Sequence, residues 1–372
     1  MKFEMEKGVL LEALQIASNA ISSKTTLQIL NNFHFKLLGN KLQITATDLD
    51  LTVVIDLEVQ GQADGALVLN AKKFLEVVRE LPDRPVLCLV DDFIMTLKSE
   101  SGFQCNLAGF DPSEYPEIPS DQVLGEVSLS SKDLAFLFSK THFAVSTDFT
   151  TRVALTGLYL EHKNEQLIMV GTDGHRFGKA WVDAQGKTLP QGMILPPRTI
   201  QQVIKAAGAQ DEDIAVSIAP NLVTFRQKNI TIVSKLIQGP YPDYERVIPQ
   251  ELSKSAMAPR EELMAVLRRV NTMAHSKTRQ VKFTFQEGSL FLSARNQDIG
   301  GDSEESLPIE YSGKSFSMGF NGTFFHEVLR LIETEKVKIR MNTNLGATMV
   351  EPQAENSQYF VIVMPLRLLD EE

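Results

Sequence analysis

Two rhythms of apolar residues alternate along this chain, and their order comes round three times. Runs with an apolar residue at every second position (FHFKLL and LQITAT, LYLEH and LIMVGT, VKFTF and LFLSA) predict half-buried antiparallel strands. Between them lie stretches with apolar residues at helical spacing. Three of these align without gaps at a near-constant interval: LNAKKFLEVVREL from Leu69, LPPRTIQQVIKAA from Leu195 and FNGTFFHEVLRLI from Phe320. Phe74, Val77, Val78 and Leu81 form the apolar stripe of the first, and Phe325, Val328, Leu329 and Ile332 that of the third. An earlier helix recurs in the same way. Its stripes are Leu10, Leu14, Ala17 and Ile21, then Leu134, Leu137 and Phe138, then Leu263, Val266, Leu267 and Val270. Ser130 or Ser131 supplies an N-cap in the second copy, and Pro259 suits the first turn in the third.

Each unit therefore runs strand, helix, strands, helix, strands. Two proline-rich segments, GFDPSEYPEIP from Gly109 and GPYPDYERVIP from Gly239, close the first two units and read as linkers. They place domains at 1–120, 121–250 and 251–372. Two amphipathic helices on an antiparallel sheet make each domain an α+β layer pair. A length of 372 residues agrees, at roughly 100–200 residues per domain.

Apolar residues make up 43% of the chain, enough for several cores, yet no run approaches the roughly 20 that a membrane helix needs. The opening MKFEMEKGVLLEALQ carries acids among its apolar residues and reads as strand then helix, not as a secretory signal. The expected compartment is the cytosol, and no membrane partner is expected. Cys88 and Cys105, each in a strand-like run, are expected to be reduced thiols and not a disulfide framework. The net charge of -10 argues against a chain held to nucleic acid by its overall charge. It leaves room for a basic strip on an acidic body.

Reactive groups are scarce. The chain has no GxxxxGK[ST], HExxH, GxSxG or paired CxxC. Glu304–Glu305 and Asp211–Asp213 are expected in polar turns as solvated charge. The run from Gly300 to Glu305 lacks the ligand spacing of a calcium site. His175, after Asp173 and Gly174 at a strand-to-turn junction, reads as a hydrogen-bonded turn histidine. No metal, cofactor or catalytic residue is expected.

Thr172-Asp173-Gly174-His175-Arg176 resembles the TDGHR signature of the bacterial DNA polymerase III beta subunit family, the sliding clamps. The opening MKFEMEKGVLLEAL resembles the family's first strand and helix. Ser234-Lys235-Leu236, with Pro242-Asp243-Tyr244 and Arg246-Val247, resembles the end of its second domain. Val363-Met364-Pro365-Leu366-Arg367-Leu368 resembles its C-terminal VMPMRL. The matches span nearly the whole chain, in order. The resemblance implies a DNA-clamp fold of three repeated domains and a head-to-tail homodimer closing a six-domain ring. Helices would line the hole and sheets the outer wall. Such a ring encircles duplex DNA without reading its sequence and gives the polymerase III holoenzyme its processivity. Being trapped by topology reconciles DNA binding with an acidic body, because tight phosphate contacts would resist sliding.

The resemblance also carries sites. A peptide pocket falls to Leu155, Thr172, Gly174, His175, Arg176, Phe177, Pro242, Arg246, Val247, Val363, Met364, Pro365, Leu366 and Arg367. The clamp loader complex, replicative and translesion polymerases, repair factors and other clamp-binding-motif proteins would compete there, through short motifs carrying Gln and apolar side chains. Met364 and Leu366 offer soft, adaptable walls, and the arginines and Thr172 polar anchors at the rim. Phe177 stands where the family often has leucine, which implies a shallower floor. Four residues, Leu369 to Glu372, extend the tail at the margin of this site. DNA-facing candidates are Lys24, Lys72, Arg79, Arg152, Arg198, Lys205, Arg268, Arg269, Lys277 and Arg279, of which Lys24 and Arg152 resemble family positions near DNA. At the dimer seam Phe103 and Leu107 would pack near Met273, and Lys73 would pair with Glu304 and Glu305.

Two other classes fit the repeat alone. One is an enzyme with a site between lobes, which needs reactive residues converging from two copies and a phosphate-binding glycine loop. The other is a monomeric peptide-binding scaffold, which its mass in solution would distinguish.

Overall fold

The computed structural model describes residues 1–22, 25, 27–208 and 211–368. The first repeat comprises β1 (Lys2–Glu6), α1 (Lys7–Ser18), β2 (Asn32–Leu38), β3 (Lys41–Thr47), β4 (Leu51–Glu58), β5 (Gln60–Ala63), β6 (Gly65–Asn70), α2 (Ala71–Glu80), β7 (Pro85–Asp91), β8 (Ile94–Ser99) and β9 (Gln104–Ala108). The second comprises β10 (Gly125–Ser130), α3 (Ser131–Thr141), β11 (Leu158–Lys163), β12 (Gln166–Thr172), β13 (Arg176–Asp183), β14 (Met193–Leu195), α4 (Pro197–Ala207), β15 (Asp213–Ile218), β16 (Leu222–Gln227) and β17 (Ile230–Lys235). The third comprises β18 (Lys254–Pro259), α5 (Arg260–Val270), β19 (Gln280–Gln286), β20 (Ser289–Asn296), β21 (Gly301–Pro308), β22 (Phe316–Asn321), α6 (Gly322–Leu331), β23 (Lys336–Met341), β24 (Thr348–Pro352) and β25 (Tyr359–Val363). Every alternating run read from the sequence is a strand.

The second helix of each repeat starts at one repeat position, by an asparagine cap in two copies and a proline in the other. Asn70 caps α2 by accepting from the Lys73 amide at 3.0 Å. Asn321 caps α6 by accepting from the amides of Thr323 and Phe324. In α4, Pro197 occupies the first helical position, where its missing N–H costs nothing. Behind these helices the same contact recurs. Phe74 of α2 meets Phe35 of β2 edge-on at 5.2 Å, and Phe325 of α6 meets Phe283 of β19 at 4.8 Å. All four rings are fully buried, each contributing about 1.5–3 kcal/mol by leaving water.

The strands form four antiparallel sheets, ordered β5-β1-β7-β8-β9, β10-β15-β16-β17-β4-β3-β2-β6, β14-β11-β12-β13-β25-β24-β23-β18 and β21-β20-β19-β22. Each repeat thus divides its strands between two sheets, because its first strand pairs with those after the second helix. The two long sheets are shared between repeats by one rule. The last strand of the second repeat, β17, pairs with the fourth strand of the first, β4, from Ile230↔Ile55 to Ser234↔Leu51. The last strand of the third, β25, pairs with the fourth of the second, β13, from Arg176↔Val363 to Ala180↔Tyr359. One strand of each kind stays at a sheet edge: β9, the last of the first repeat, and β21, the fourth of the third. By contacts the chain divides into two compact units, Met1–Leu134 with Lys187–Pro190 and Arg198–Leu236, and Ala135–Gly186 with Gln191–Pro197 and Ile237–Glu372.

Three local expectations are corrected, and the N-cap of α3 is settled between its two candidates. Ile21 lies beyond α1, because the Asn19 side chain donates to the carbonyls of Gln15 and Ile16 and ends the helix. Ser130, and not Ser131, caps α3, its hydroxyl accepting from the Asp133 amide at 3.3 Å. Pro259 sits at the N-cap of α5, one residue before its first turn. Glu304 and Glu305 lie within β21, where an edge strand keeps polar side chains in water, and Asp213 opens β15.

Candidate functional site

The turn between β12 and β13 is built from its own side chains. Thr172 donates its hydroxyl to the Arg176 carbonyl at 2.8 Å and accepts from the Gly174 amide at 3.1 Å. One oxygen of Asp173 accepts from the amides of His175 and Arg176, at 2.8 and 2.9 Å. The geometry needs a left-handed residue at the tip, and Gly174 supplies it with φ +89°. His175 is left exposed, and its carbonyl accepts from the Met364 amide at 2.8 Å. That bond carries the β13·β25 pairing one step past the strand ends and brings the turn against the C-terminal tail.

The tail is pinned in turn. Leu366 donates its amide to the Gly319 carbonyl at 2.8 Å, and Gln280 Nε2 donates to the Arg367 carbonyl at 2.9 Å. Met364 is left 39% exposed. Phe177 is buried with Ile168, Val170, Tyr244 and Ile362, and Tyr241 and Phe360 pack against that cluster. Val363 is buried, opposite Arg176. Tyr244 donates to Glu161 at 2.5 Å, and burial, with Glu161 beside it, pushes its phenol well above the ordinary range. Lys179 lies over the Tyr244 ring at 5.5 Å, and burial lowers its pKa. From the linker, Val247 is half exposed and Arg246 extends into solvent, donating to Asp243 at 2.8 Å. Pro242 is exposed, and Leu155 is buried in the short turn Val153–Thr156.

The structure thus brings the turn from Thr172 to Phe177 together with the tail from Val363 to Arg367, with Met364 exposed between their hydrogen-bonded backbones. Arg176 does not reach out from the turn. Its Nε donates to Asp173 at 3.0 Å, its other arm pairs with Glu327, and its guanidinium stacks on the Phe324 ring at 4.2 Å. Sequence reasoning missed Phe324, Glu327 and Gly319, which hold this region. Phe324 and Glu327 stand three apart on one face of α6, but nothing local says what that face meets.

Among the DNA-facing candidates, Lys72, Arg79, Arg152, Lys205, Arg268, Lys277 and Arg279 are exposed. Arg152 lies beside the Gly174 turn. Arg269 is bound to Glu305 by two hydrogen bonds of 2.5 and 2.8 Å. Arg198 is committed elsewhere, pairing with Asp48 and donating to the Asn19 carbonyl at 2.7 Å. Lys24 and Leu369 to Glu372 lie outside the described residues. Of the seam residues, Phe103 is 44% exposed beside a groove of about 460 Å³ that includes Lys73, Val77 and Leu81. Leu107 is on the edge strand β9, and Glu304 and Glu305 are on the edge strand β21. Lys73 pairs with Glu76 at 2.7 Å within the chain. Among the described residues no three His, Cys, Asp or Glu side chains cluster to hold a metal, and no helix is long and apolar enough to cross a membrane.

Three copies of one α+β unit, joined by last-strand-to-fourth-strand pairing, define a DNA clamp. Models of the DNA polymerase III beta subunit match the chain in succession: the N-terminal domain over residues 1–119, the central domain over 128–243 and the C-terminal domain over 245–367. The beta sliding clamp of Caulobacter vibrioides is 30% identical and that of Vibrio cholerae 29%, each over 99% of this chain and the whole of the relative. The crystal structure of the DNA polymerase III subunit beta from Pseudomonas aeruginosa superposes with a TM-score of 0.94 at 26% identity, covering 99% of this chain and all of that one. The chain belongs to the DNA polymerase III beta subunit family, the beta sliding clamps. It is a processivity subunit and not an enzyme.

Proposed function

We propose that two copies of this chain close head to tail around duplex DNA, bind it without regard to sequence, and tether the replicative polymerase to it in the cytoplasm. The single observation that carries the reading is the strand rule. Last strand meets fourth strand at both internal junctions, and one strand of each kind is left over. Applied once more between chains, the rule joins β9 of one copy to β21 of the other. Two such seams use up both edges and make a ring of six domains, with boundaries at 1–120, 121–250 and 251–372.

At each seam Phe103 and Leu107 meet Met273 of the second copy, and Lys73 exchanges Glu76 for Glu304 and Glu305. The exposed cations Lys72, Arg79, Arg152, Lys205, Arg268, Lys277 and Arg279 face DNA. Their number is modest against a net charge of -10, which suits a ring that must slide. The groove takes short peptides. Leu155, Phe177 and Val363 form its floor, Met364, Pro365, Leu366, Pro242 and Val247 its walls, and Thr172, Gly174, His175, Arg246 and Arg367 its polar margin. Loader, polymerases and repair factors share it. The hydrogen bonds that hold the turn and the tail support the reading, since a margin held in place lowers the entropic cost of binding.

The test is retention on DNA. The protein is loaded by a clamp loader onto nicked circular DNA and followed by gel filtration before and after the circle is linearised. Retention on the circle and loss on linearisation is the expected result. Binding that ignores linearisation would overturn it and leave the peptide-binding scaffold as the reading.

A further inference from the structure

We propose that Glu327 and Phe324, on the face of α6 turned to Arg176, are positioning residues for the peptide groove: they act through Arg176 and never touch the peptide. The proposal rests on the reading of the groove as a peptide site. Arg176 sits at the centre of the arrangement, its side chain only 13% exposed. One arm pairs with Glu327 of α6, its Nε donates to Asp173 at 3.0 Å, and its plane lies on the Phe324 ring at 4.2 Å, with the Phe143 ring at 5.7 Å. A guanidinium so placed presents fixed donors to two carboxylates and a flat face to an aromatic ring, which an ammonium could not do.

The consequence runs through Asp173. Its second oxygen accepts from the amides of His175 and Arg176, at 2.8 and 2.9 Å, so that carboxylate sets the shape of the turn. The turn aims the His175 carbonyl at the Met364 amide, 2.8 Å away, and this bond fixes where exposed Met364 stands. Glu327 is 42% exposed and has no other ion pair among the described residues. Without it, one arm of Arg176 loses its fixed partner, and Asp173 is left as the guanidinium's one carboxylate while it also holds the turn. The groove margin then samples more than one position, and a peptide must select among them.

The test uses the full-length dimer and a fluorescent synthetic peptide carrying one glutamine with leucine and phenylalanine anchors. Binding is read by anisotropy, and the Met364 amide by hydrogen exchange. Glu327→Gln keeps the volume and removes the charge. It is expected to weaken the peptide about tenfold and to speed exchange at Met364, with Glu327→Asp recovering part of the loss. In an Arg176→Ala background, Glu327→Gln is expected to do nothing further, which a general loss of stability would not reproduce. Unchanged peptide affinity in Glu327→Gln, or losses that add independently of Arg176, would overturn the proposal. A Met364→Glu variant separates the two readings. If it abolishes binding while Glu327→Gln leaves binding intact, the groove stands and the positioning role falls. If it too binds normally, both fall.

Discussion

Lys235 donates its amide to the carbonyl of Asp50 at 2.9 Å, and one repeat later Met364 makes the same bond to His175 at 2.8 Å. The two junctions share their backbone and differ in what the side chains do with it. At the first, Lys235 and Asp50 close on each other as an ion pair at 3.1 Å. At the second, Met364 stands exposed and apolar. Equivalent strand pairings therefore give one junction closed by its own charges and one with an exposed apolar side chain, where the peptide site is proposed.

Arg198→Ala is expected to cost stability and not DNA retention. The guanidinium is held by Asp48, itself 10% exposed, and by the Asn19 carbonyl. Removing it leaves a largely buried carboxylate with only the amides of Asp50 and Leu51 as partners and costs about 1–3 kcal/mol. Urea unfolding reads the loss, and the lifetime of the loaded ring on nicked circles should be unchanged. A stable variant that slips from DNA would restore Arg198 to the DNA-facing set.

Gly319→Ala should detach the tail locally. A Cβ there would stand 2.8 Å from the Leu366 carbonyl oxygen and 2.9 Å from Leu368. Overpacking of this kind costs about 1–3 kcal/mol, and the terminal segment can yield more easily than β22 can. Faster hydrogen exchange at Leu366 and weaker peptide binding are expected, with the secondary structure intact by circular dichroism.

Lys73→Glu is expected to weaken the dimer severalfold in sedimentation equilibrium, more at low salt than at high, because it sets like charges against Glu304 and Glu305 across the seam. Within the single chain the change replaces an exposed bond to Glu76 with a like-charge neighbour, a small and solvent-screened cost. Unchanged association would remove Lys73 from the seam.

The pair between Lys140 and Glu333 sets an acid limit on part of the stability. Lys140 is 7% exposed, donating to Glu333 at 2.6 Å and to the Leu331 carbonyl at 2.8 Å. Its hydrogen bond and charge lower the Glu333 carboxyl below its ordinary 4.5. A depressed acid stabilises fully above that ordinary value and stops doing so as pH falls through the lowered one. Glu333 is mostly exposed, so screening keeps the contribution below about 1 kcal/mol. The stability gap between the wild type and Glu333→Gln should therefore be constant from pH 7 to pH 5 and close at lower pH. A gap that widens in acid would refute the assignment.

The sequence by itself determined the triple repeat, the paired helices and alternating strands of each copy, most of their buried stripes, and the family. Those are set by local rules: helical and strand periodicity, capping, proline at linkers, and the TDGHR and MPLRL segments. It did not decide how the strands divide between sheets, because β1 pairs with β7 from Lys2↔Leu89 to Glu6↔Pro85, and no local pattern encodes a partner that distant. It placed Glu304 and Glu305 in a turn, since the polarity of an edge strand and of a loop look alike. It offered Arg198 to DNA, since nothing near Arg198 in sequence announces Asp48. Arg176 was legible as part of a site, but its grip on Glu327 and Phe324 was not, because a charged side chain can be read from sequence while the ion pair it makes depends on which helix the fold brings alongside.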